Sequence, residues 1–199
     1  AEVRLRATVD NGVRRVKFER RGERVWIEVE LFEHRSGGQA DLVVNIHRKA
    51  TADVELINGR VEAEAGGNLS VHTVNADIDA RAHGLKANLH TVNGRIDVQA
   101  ESTTLEAELV KGRLQARIKH LNGSRIRAVS GVVDLRVETL ASASHRIDTQ
   151  GADVRLDIAR SQPVRVEVDG LRARESMGDP KGVPIQVRRR KGDVDLTRH

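Results

Sequence analysis

The segment His72–Ala82 reads HTVNADIDARA, and eighteen residues further on His90–Ala100 reads HTVNGRIDVQA. His, Thr, Val, Asn, Ile, Asp and the final Ala recur at that offset, and so does the alternation of apolar with polar residues that marks a β-strand. A unit this short cannot bury its own apolar face. Successive copies have to stack on one another to build a core.

Further copies register on a small corner in which Asn-Gly, or a substitute, precedes a strand. It occurs as Ile57-Asn58-Gly59-Arg60-Val61, Val74-Asn75-Ala76-Asp77-Ile78 and Val92-Asn93-Gly94-Arg95-Ile96, then as Val110-Lys111-Gly112, Val129-Ser130-Gly131 and Thr149-Gln150-Gly151. The glycine-equivalent positions 59, 76, 94, 112, 131 and 151 lie 17, 18, 18, 19 and 20 residues apart. A tight corner there calls for positive φ, which glycine adopts freely. A second break falls midway through each unit, at Gly66-Gly67, His83-Gly84, Ser102–Thr104, Asn122–Ser124 and Ser142–Ser144. Between corners, parity assigns Leu85, Ala87, Leu89, Ile96, Val98, Ala100, Leu105, Ala107, Leu109, Leu114, Ala116 and Ile118 to the core. Lys86, Asn88, Asp97, Gln99, Glu106 and Glu108 then face water.

The expected fold is all-β: one single-chain, β-helix-like β-solenoid over residues 1–199, built of two-strand rungs about 18 residues long with an N-terminal β cap. The alternative is an antiparallel sandwich or meander, because Asn-Gly between alternating runs is also the signal for a two-residue hairpin. The steady unit length and the identities at one offset favour the coil. With rungs about 4.8 Å apart, roughly six to eight of them give a body roughly 30 to 40 Å long.

Residues 1–40 form the expected cap. Val3, Leu5, Ala7 and Val9 alternate into Asp10-Asn11-Gly12, the turn of a first hairpin, and Val13, Val16 and Phe18 lead to a second turn at Arg21-Gly22-Glu23. Val25, Ile27, Val29 and Leu31 follow, before a break at Ser36-Gly37-Gly38. Residues 41–160 are the regular repeats and 161–199 irregular rungs. The latter hold a strand at Val164–Val168, a loop from Ser176 to Gly182, a strand at Ile185 and Val187, and a last echo of the corner in Lys191-Gly192-Asp193-Val194.

Composition narrows the chemistry. Aromatic residues make up 2% of the chain, and Phe18, Trp26 and Phe32 all precede the repeats, so the interior is packed with small and medium aliphatics. The chain has no cysteine, which removes disulfides, thiolate metal sites and cysteine nucleophiles. It also lacks an apolar run of about 18 residues that would span a membrane as a helix. The chain starts at Ala-Glu without an initiator Met, as either a trimmed mature protein or a recombinant fragment would, and a periplasmic or cell-surface location is the expectation that goes with the first of these. Lys and Arg number 34 against 29 Asp and Glu, mostly interleaved along the strands. Two denser basic stretches stand apart from the best repeats: Arg14, Arg15, Lys17, Arg20, Arg21 and Arg24, and Arg188, Arg189, Arg190 and Lys191. Either could meet an anionic partner.

The repeated TVNG-type units, each followed by Asp or Arg and an alternating strand, resemble those of a bacterial adhesin family of β-solenoid domains of unknown function found on exported or membrane-tethered proteins. The likeness runs from about Leu42 to Leu196. It implies a structural or adhesive envelope module, without catalytic residues or cofactor.

The function expected is therefore a non-catalytic, exported scaffold or binding module for a protein or an anionic surface polymer, engaged through one of the basic stretches. Specific nucleic-acid binding is not expected, since no aromatic platform accompanies the charge. Self-association through the ends or edges of the coil is a further option. The alternative is a polysaccharide-active enzyme or carbohydrate-binding module, although sugar-processing coils carry clustered acids and aromatic rings that the repeats lack. His72 and His90, on adjacent rungs, are the pair a metal ion would use, with Val54 before and Glu108 after them in the same column. Asp79 and Asp97 stack likewise, neutralised by Arg81 and Arg95, while Asp77, Arg95 and Arg113 form an ion-pair column.

Overall fold

In-register parallel pairing of the two quoted segments sets the architecture: His72 lies beside His90, Thr73 beside Thr91, Asn75 beside Asn93 and Ile78 beside Ile96. The computed structural model describes residues 3–10, 13–22, 24–31, 39–46, 50–83, 86–170 and 174–199. Expected features at Asn11-Gly12, Phe32, Ser36–Gly38, Gly84 and Leu85 fall outside these. The strands are β1 (Val3–Val9), β2 (Val13–Arg21), β3 (Arg24–Leu31), β4 (Ala40–Ile46), β5 (Thr51–Ala65), β6 (Leu69–Ala82), β7 (Lys86–Leu140), β8 (His145–Ile158), β9 (Val164–Asp169), β10 (Arg174–Gly178), β11 (Val183–Arg189) and β12 (Val194–Arg198). Among the described residues no helix is long and apolar enough to cross a membrane.

Strands β3 to β8 stack in parallel, each in register with the rung before it. The molecule is a β-solenoid of about 7 turns with rungs about 19 residues apart, so the antiparallel meander does not occur. Rung length varies because the corners absorb extra residues. The offset is 17 between β5 and β6, 18 between β6 and β7, and 21 between β7 and β8. That drift moves the last corner by one: Ala152, not Gly151, lies beside Gly131.

Interior columns form because residues two apart on every strand share a face. Leu42, Val61, Ile78 and Ile96 lie in one column, and Val133, Val154 and Val194 in its continuation. All but Val194 are buried, as are the expected core residues from Ala87 to Ile118. Each fully buried Leu, Ile or Val contributes about 1.5 to 3 kcal/mol, and these repeated columns hold the stack together.

The corner is where sequence and backbone meet most tightly. Gly59, Gly94, Gly112 and Gly131 all have positive φ, and a Cβ on Gly112 would stand 1.8 Å from the carbonyl oxygen of Gly94. Ala76 occupies the equivalent place without positive φ, so the requirement for glycine is set rung by rung through the closeness of the neighbouring backbone. Beside the glycines runs an asparagine ladder. Asn75 donates to Asn58 at 3.0 Å and Asn93 to Asn75 at 2.9 Å. Where the corner interrupts backbone pairing, an aspartate substitutes: Asp77 accepts the Arg95 N–H at 2.8 Å and Asp153 the Asp193 N–H at 3.0 Å. The midway corners at Ser102–Thr104 and Asn122–Ser124 do not end a strand, since β7 runs through both.

The ends differ from expectation. Among the described residues β1 and β2 do not pair as the expected hairpin. Instead β1 lies antiparallel on β4, and β2 antiparallel on β3, so one reversed rung covers the first parallel rung. At the other end β9 is displaced outward and β11 is inserted between it and β8, parallel to both, while β12 lies on the second half of β8. Ser176–Gly178, expected in a loop, belongs to β10, which runs antiparallel along β9. Residues 179–182 alone make the connection to β11, with Gly182 N–H donating to the Asp179 carbonyl at 2.9 Å.

One polar side chain inside the stack gives it a pH response. His145 is 3% exposed, with Nε2 at 3.0 Å from the Ala141 carbonyl and Nδ1 at 3.3 Å from Ser124 Oγ. A carbonyl only accepts, so Nε2 carries the proton and Nδ1 accepts from the Ser124 hydroxyl. Burial pulls the imidazole pKa below its ordinary 6.5, against a smaller opposing effect of the Ala141 hydrogen bond. The folded pKa thus lies below the unfolded one. Stability from this group is complete above about pH 6.5 and is lost as pH falls towards the folded pKa, at about 1.4 kcal/mol per unit of depression. The melting temperature is expected to drop between pH 7 and 5, and His145→Gln to flatten that slope. Equal slopes for the two proteins would remove His145 as the cause.

Candidate functional site

Outward positions carry both signs, and most cations meet an acid one rung away. Arg60 reaches Asp79 at 2.6 Å, Arg127 reaches Glu108 at 2.7 Å, Lys86 reaches Glu106 at 2.8 Å and Lys119 reaches Glu101 at 3.3 Å. Exposed pairs of this kind are worth under about 1 kcal/mol each. Their larger effect is on the field, because they leave the flat faces with little uncompensated charge.

One outward column runs the length of the stack. It passes through Glu28, Glu55, His72 and His90, then Glu108 and Arg127 in contact, then Asp148, Arg188 and Asp169. Where it reaches the inserted strand β11, a cleft of about 520 Å³ opens. His90, Glu108, Arg127 and Asp148 line it from successive rungs, Leu109, Val110, Ala128 and Val129 supply an apolar wall, and Arg188, Arg189 and Arg190 close it. Beyond β11 the chain crosses the corner below, with the Arg190 N–H on the Thr149 carbonyl at 3.2 Å and the Lys191 N–H on the Gln150 carbonyl at 2.9 Å. These bonds fix the arginines at the rim.

Of the acids in the cleft, Glu108 is committed to Arg127 and Asp148 to Arg146 at 2.7 Å, while Asp169 lies beside Arg188 in the register of β9 and β11. Arg189 donates to the Gly192 carbonyl at 2.6 Å. The side chains of Arg188, Arg190 and Lys191 have neither an ion pair nor a hydrogen bond among the described residues. The arrangement is a cationic rim over an apolar wall, suited to holding an anion.

The other basic stretch lies elsewhere, on the outermost strand β2, at the far end of the stack. There Lys17 pairs with Glu28 at 3.2 Å, Arg21 with Glu19 at 2.9 Å, and Arg20 donates to the Gly22 carbonyl at 3.1 Å. Arg14 and Arg15 are exposed on the same strand. Charge along an outer strand of this kind discourages edge-to-edge pairing.

His72 and His90 do stack, their ring centroids 5.9 Å apart and tilted by 32°. The residue before them in the column is Glu55 rather than Val54, because that rung is one residue shorter. Ser70 Oγ is 3.2 Å from His72 Nε2, and Glu108 3.5 Å from His90 Nδ1. Among the described residues no three His, Asp or Glu side chains converge as a metal site would require. Asp79 and Asp97 lie side by side. Asp79 is neutralised by Arg60 and, at 3.6 Å, by Arg95, whereas Asp97 has Arg117 at 3.9 Å. Arg60 takes the role expected of Arg81, since the rung spacing of about 4.8 Å is shorter than the two-residue step of about 6.6 Å along a strand. The Asp79 hydrogen bond, and then its charge, raise the Arg60 pKa further. Asp77 holds a backbone N–H instead of an ion pair, and Arg113 approaches Asp134 at 3.8 Å.

The sequence reading did not single out Arg127, Asp148 or the apolar wall. Adding one rung to Glu108 reaches Arg127, but only the true offsets bring Asp148 and Arg188 into that column. Trp26 is 46% exposed and lies beside Asp53 on the first parallel rung.

Compared with known protein families, residues 37–197 match the model described as Toastrack DUF4097. No curated protein and no solved structure matches the chain.

Proposed function

The chain belongs to the Toastrack family of domains of unknown function, and on that premise we propose that it is a non-catalytic binding module. It works outside the cytoplasm as an adhesive or scaffolding element of the envelope, and takes hold of an anionic surface polymer, or an acidic protein segment, in the cleft beneath β11. One observation carries the reading: Arg188, Arg190 and Lys191 are uncommitted, while most cations of the repeats are neutralised across rungs. Repetition supplies rigidity, so the rim is held ready and little ordering cost falls on binding.

A titration with polyphosphate at low and moderate salt tests this. The parent is expected to bind, and to bind more weakly as salt rises. Combining Arg188→Ala, Arg190→Ala and Lys191→Ala is expected to weaken binding roughly ten- to hundredfold, whereas Arg14→Ala with Arg20→Ala leaves it unchanged. Equal binding by the triple variant would sink the proposal. A second reading, a carbohydrate-binding module, is favoured by exposed Trp26. Because it is the only tryptophan, quenching of its fluorescence by a neutral oligosaccharide in the same titration would move the site there.

A further inference from the structure

The corner that carries the asparagine ladder also carries an aliphatic one. Ile57, Val74, Val110 and Val129 are 44, 41, 40 and 39% exposed, and half-buried Val92 fills the middle rung. At about 4.8 Å per rung these five form a ridge roughly 19 Å long. Stacking by itself does not call for apolar groups here. At the same corner Asn58, Asn75 and Asn93 stack through hydrogen bonds and show polar groups to water.

The ridge is continuous with the cleft, because Val110 and Val129 form part of its wall. Exposed Lys111 follows Val110 directly, and Arg188 and Arg190, which line the same cleft as Val110, have no side-chain ion pair among the described residues. Of the acids in the neighbouring column, Glu108 and Asp148 are each bound to an arginine, and Glu55 stands beside Ile57 at the end of the ridge away from the cleft. A convex line of short aliphatic side chains flanked by free cations complements a surface that is anionic outside, apolar beneath and able to yield. A rigid protein partner would need a matching groove.

We propose that this ridge docks on an anionic lipid bilayer, the aliphatic line entering the headgroup layer while Lys111, Arg188 and Arg190 contact lipid phosphates. The inference rests on the cationic reading of the cleft, and it adds the apolar half of the contact.

Flotation with phosphatidylcholine vesicles, with and without phosphatidylglycerol, tests it alongside polyphosphate binding. The parent is expected to float with the anionic vesicles only. Ile57→Ser with Val74→Ser, at the part of the ridge outside the cleft, should weaken that association about tenfold and leave polyphosphate binding unchanged, whereas Arg188→Ala with Arg190→Ala should weaken both. Val74→Trp in a Trp26→Phe background gives a readout that does not depend on the serine variant folding: its emission should shift to the blue on anionic vesicles and stay put with polyphosphate. Failure of the parent to float, parent-like flotation of the serine variant, or an unshifted Trp emission overturns the ridge. Unchanged polyphosphate binding by the arginine variant overturns the cleft instead.

Discussion

Ile96→Asp is expected to abolish cooperative folding. Ile96 is fully buried, in a column with Ile78 on the rung before it and Leu42 and Val61 further along. The substitution forfeits about 1.5 to 3 kcal/mol of apolar burial and leaves a carboxylate in an aliphatic interior with no cation in reach, a further cost of several kcal/mol. Against a total stability of about 5 to 15 kcal/mol, this is enough to unfold the repeats. Gln99→Asp, on the same strand with its side chain exposed, should change stability by no more than about 0.5 kcal/mol. Thermal melts of the two variants check the assignment of faces, and a parent-like melt of Ile96→Asp would mean that the inward face is wrong.

The second large effect is expected at Gly112. Its φ is +148°, and a Cβ there would meet the Gly94 carbonyl oxygen at 1.8 Å and its carbon at 2.9 Å. The oxygen is backbone, so it cannot swing aside as a side chain would. Gly112→Val therefore combines an unfavourable backbone conformation with overlap, at a cost of about 3 kcal/mol or more. Gly151 offers the control. It lacks positive φ, and its added Cβ would have Val129 O at 3.5 Å as its nearest neighbour, so Gly151→Ala is expected to stay within about 0.5 kcal/mol of the parent. Denaturant titration compares them. Similar midpoints for both variants would contradict the tight glycine corner.

What the sequence makes legible is local and periodic. Alternation between Ala87 and Ile118 identifies the core face because a strand has period two, and the eighteen-residue identities identify rungs because equivalent residues lie beside one another. The register of the last corner is lost at Gly151, since a corner can absorb one residue without changing the strand on either side. End topology is not legible at all from the pattern. Val3–Val9 alternates equally well whether it pairs with β2 or β4, and Ile185 and Val187 alternate in the same way whether β11 lies outside β9 or is inserted beneath it.

The functional features follow the same division. The stretch Arg188–Lys191 is visible as charge, but its freedom from ion pairs depends on which acids the neighbouring rungs supply. Arg14–Arg24 looks equivalent in sequence, but there Lys17 and Arg21 meet Glu28 and Glu19, and β2 is an outer strand. The aliphatic ridge is hidden for another reason. Ile57, Val74, Val110 and Val129 sit at corners, where parity no longer separates inside from outside, so each reads as an ordinary member of a strand.

The measurement that bears most directly on the account is a map of backbone amide shifts in the labelled chain as polyphosphate is added at low salt. The account predicts that the perturbed amides cluster at Val110, Val129, Thr149 and Arg188–Lys191, and that those of β2 stay in place. Shifts centred on β2, or spread evenly along the ion-paired faces, would contradict it.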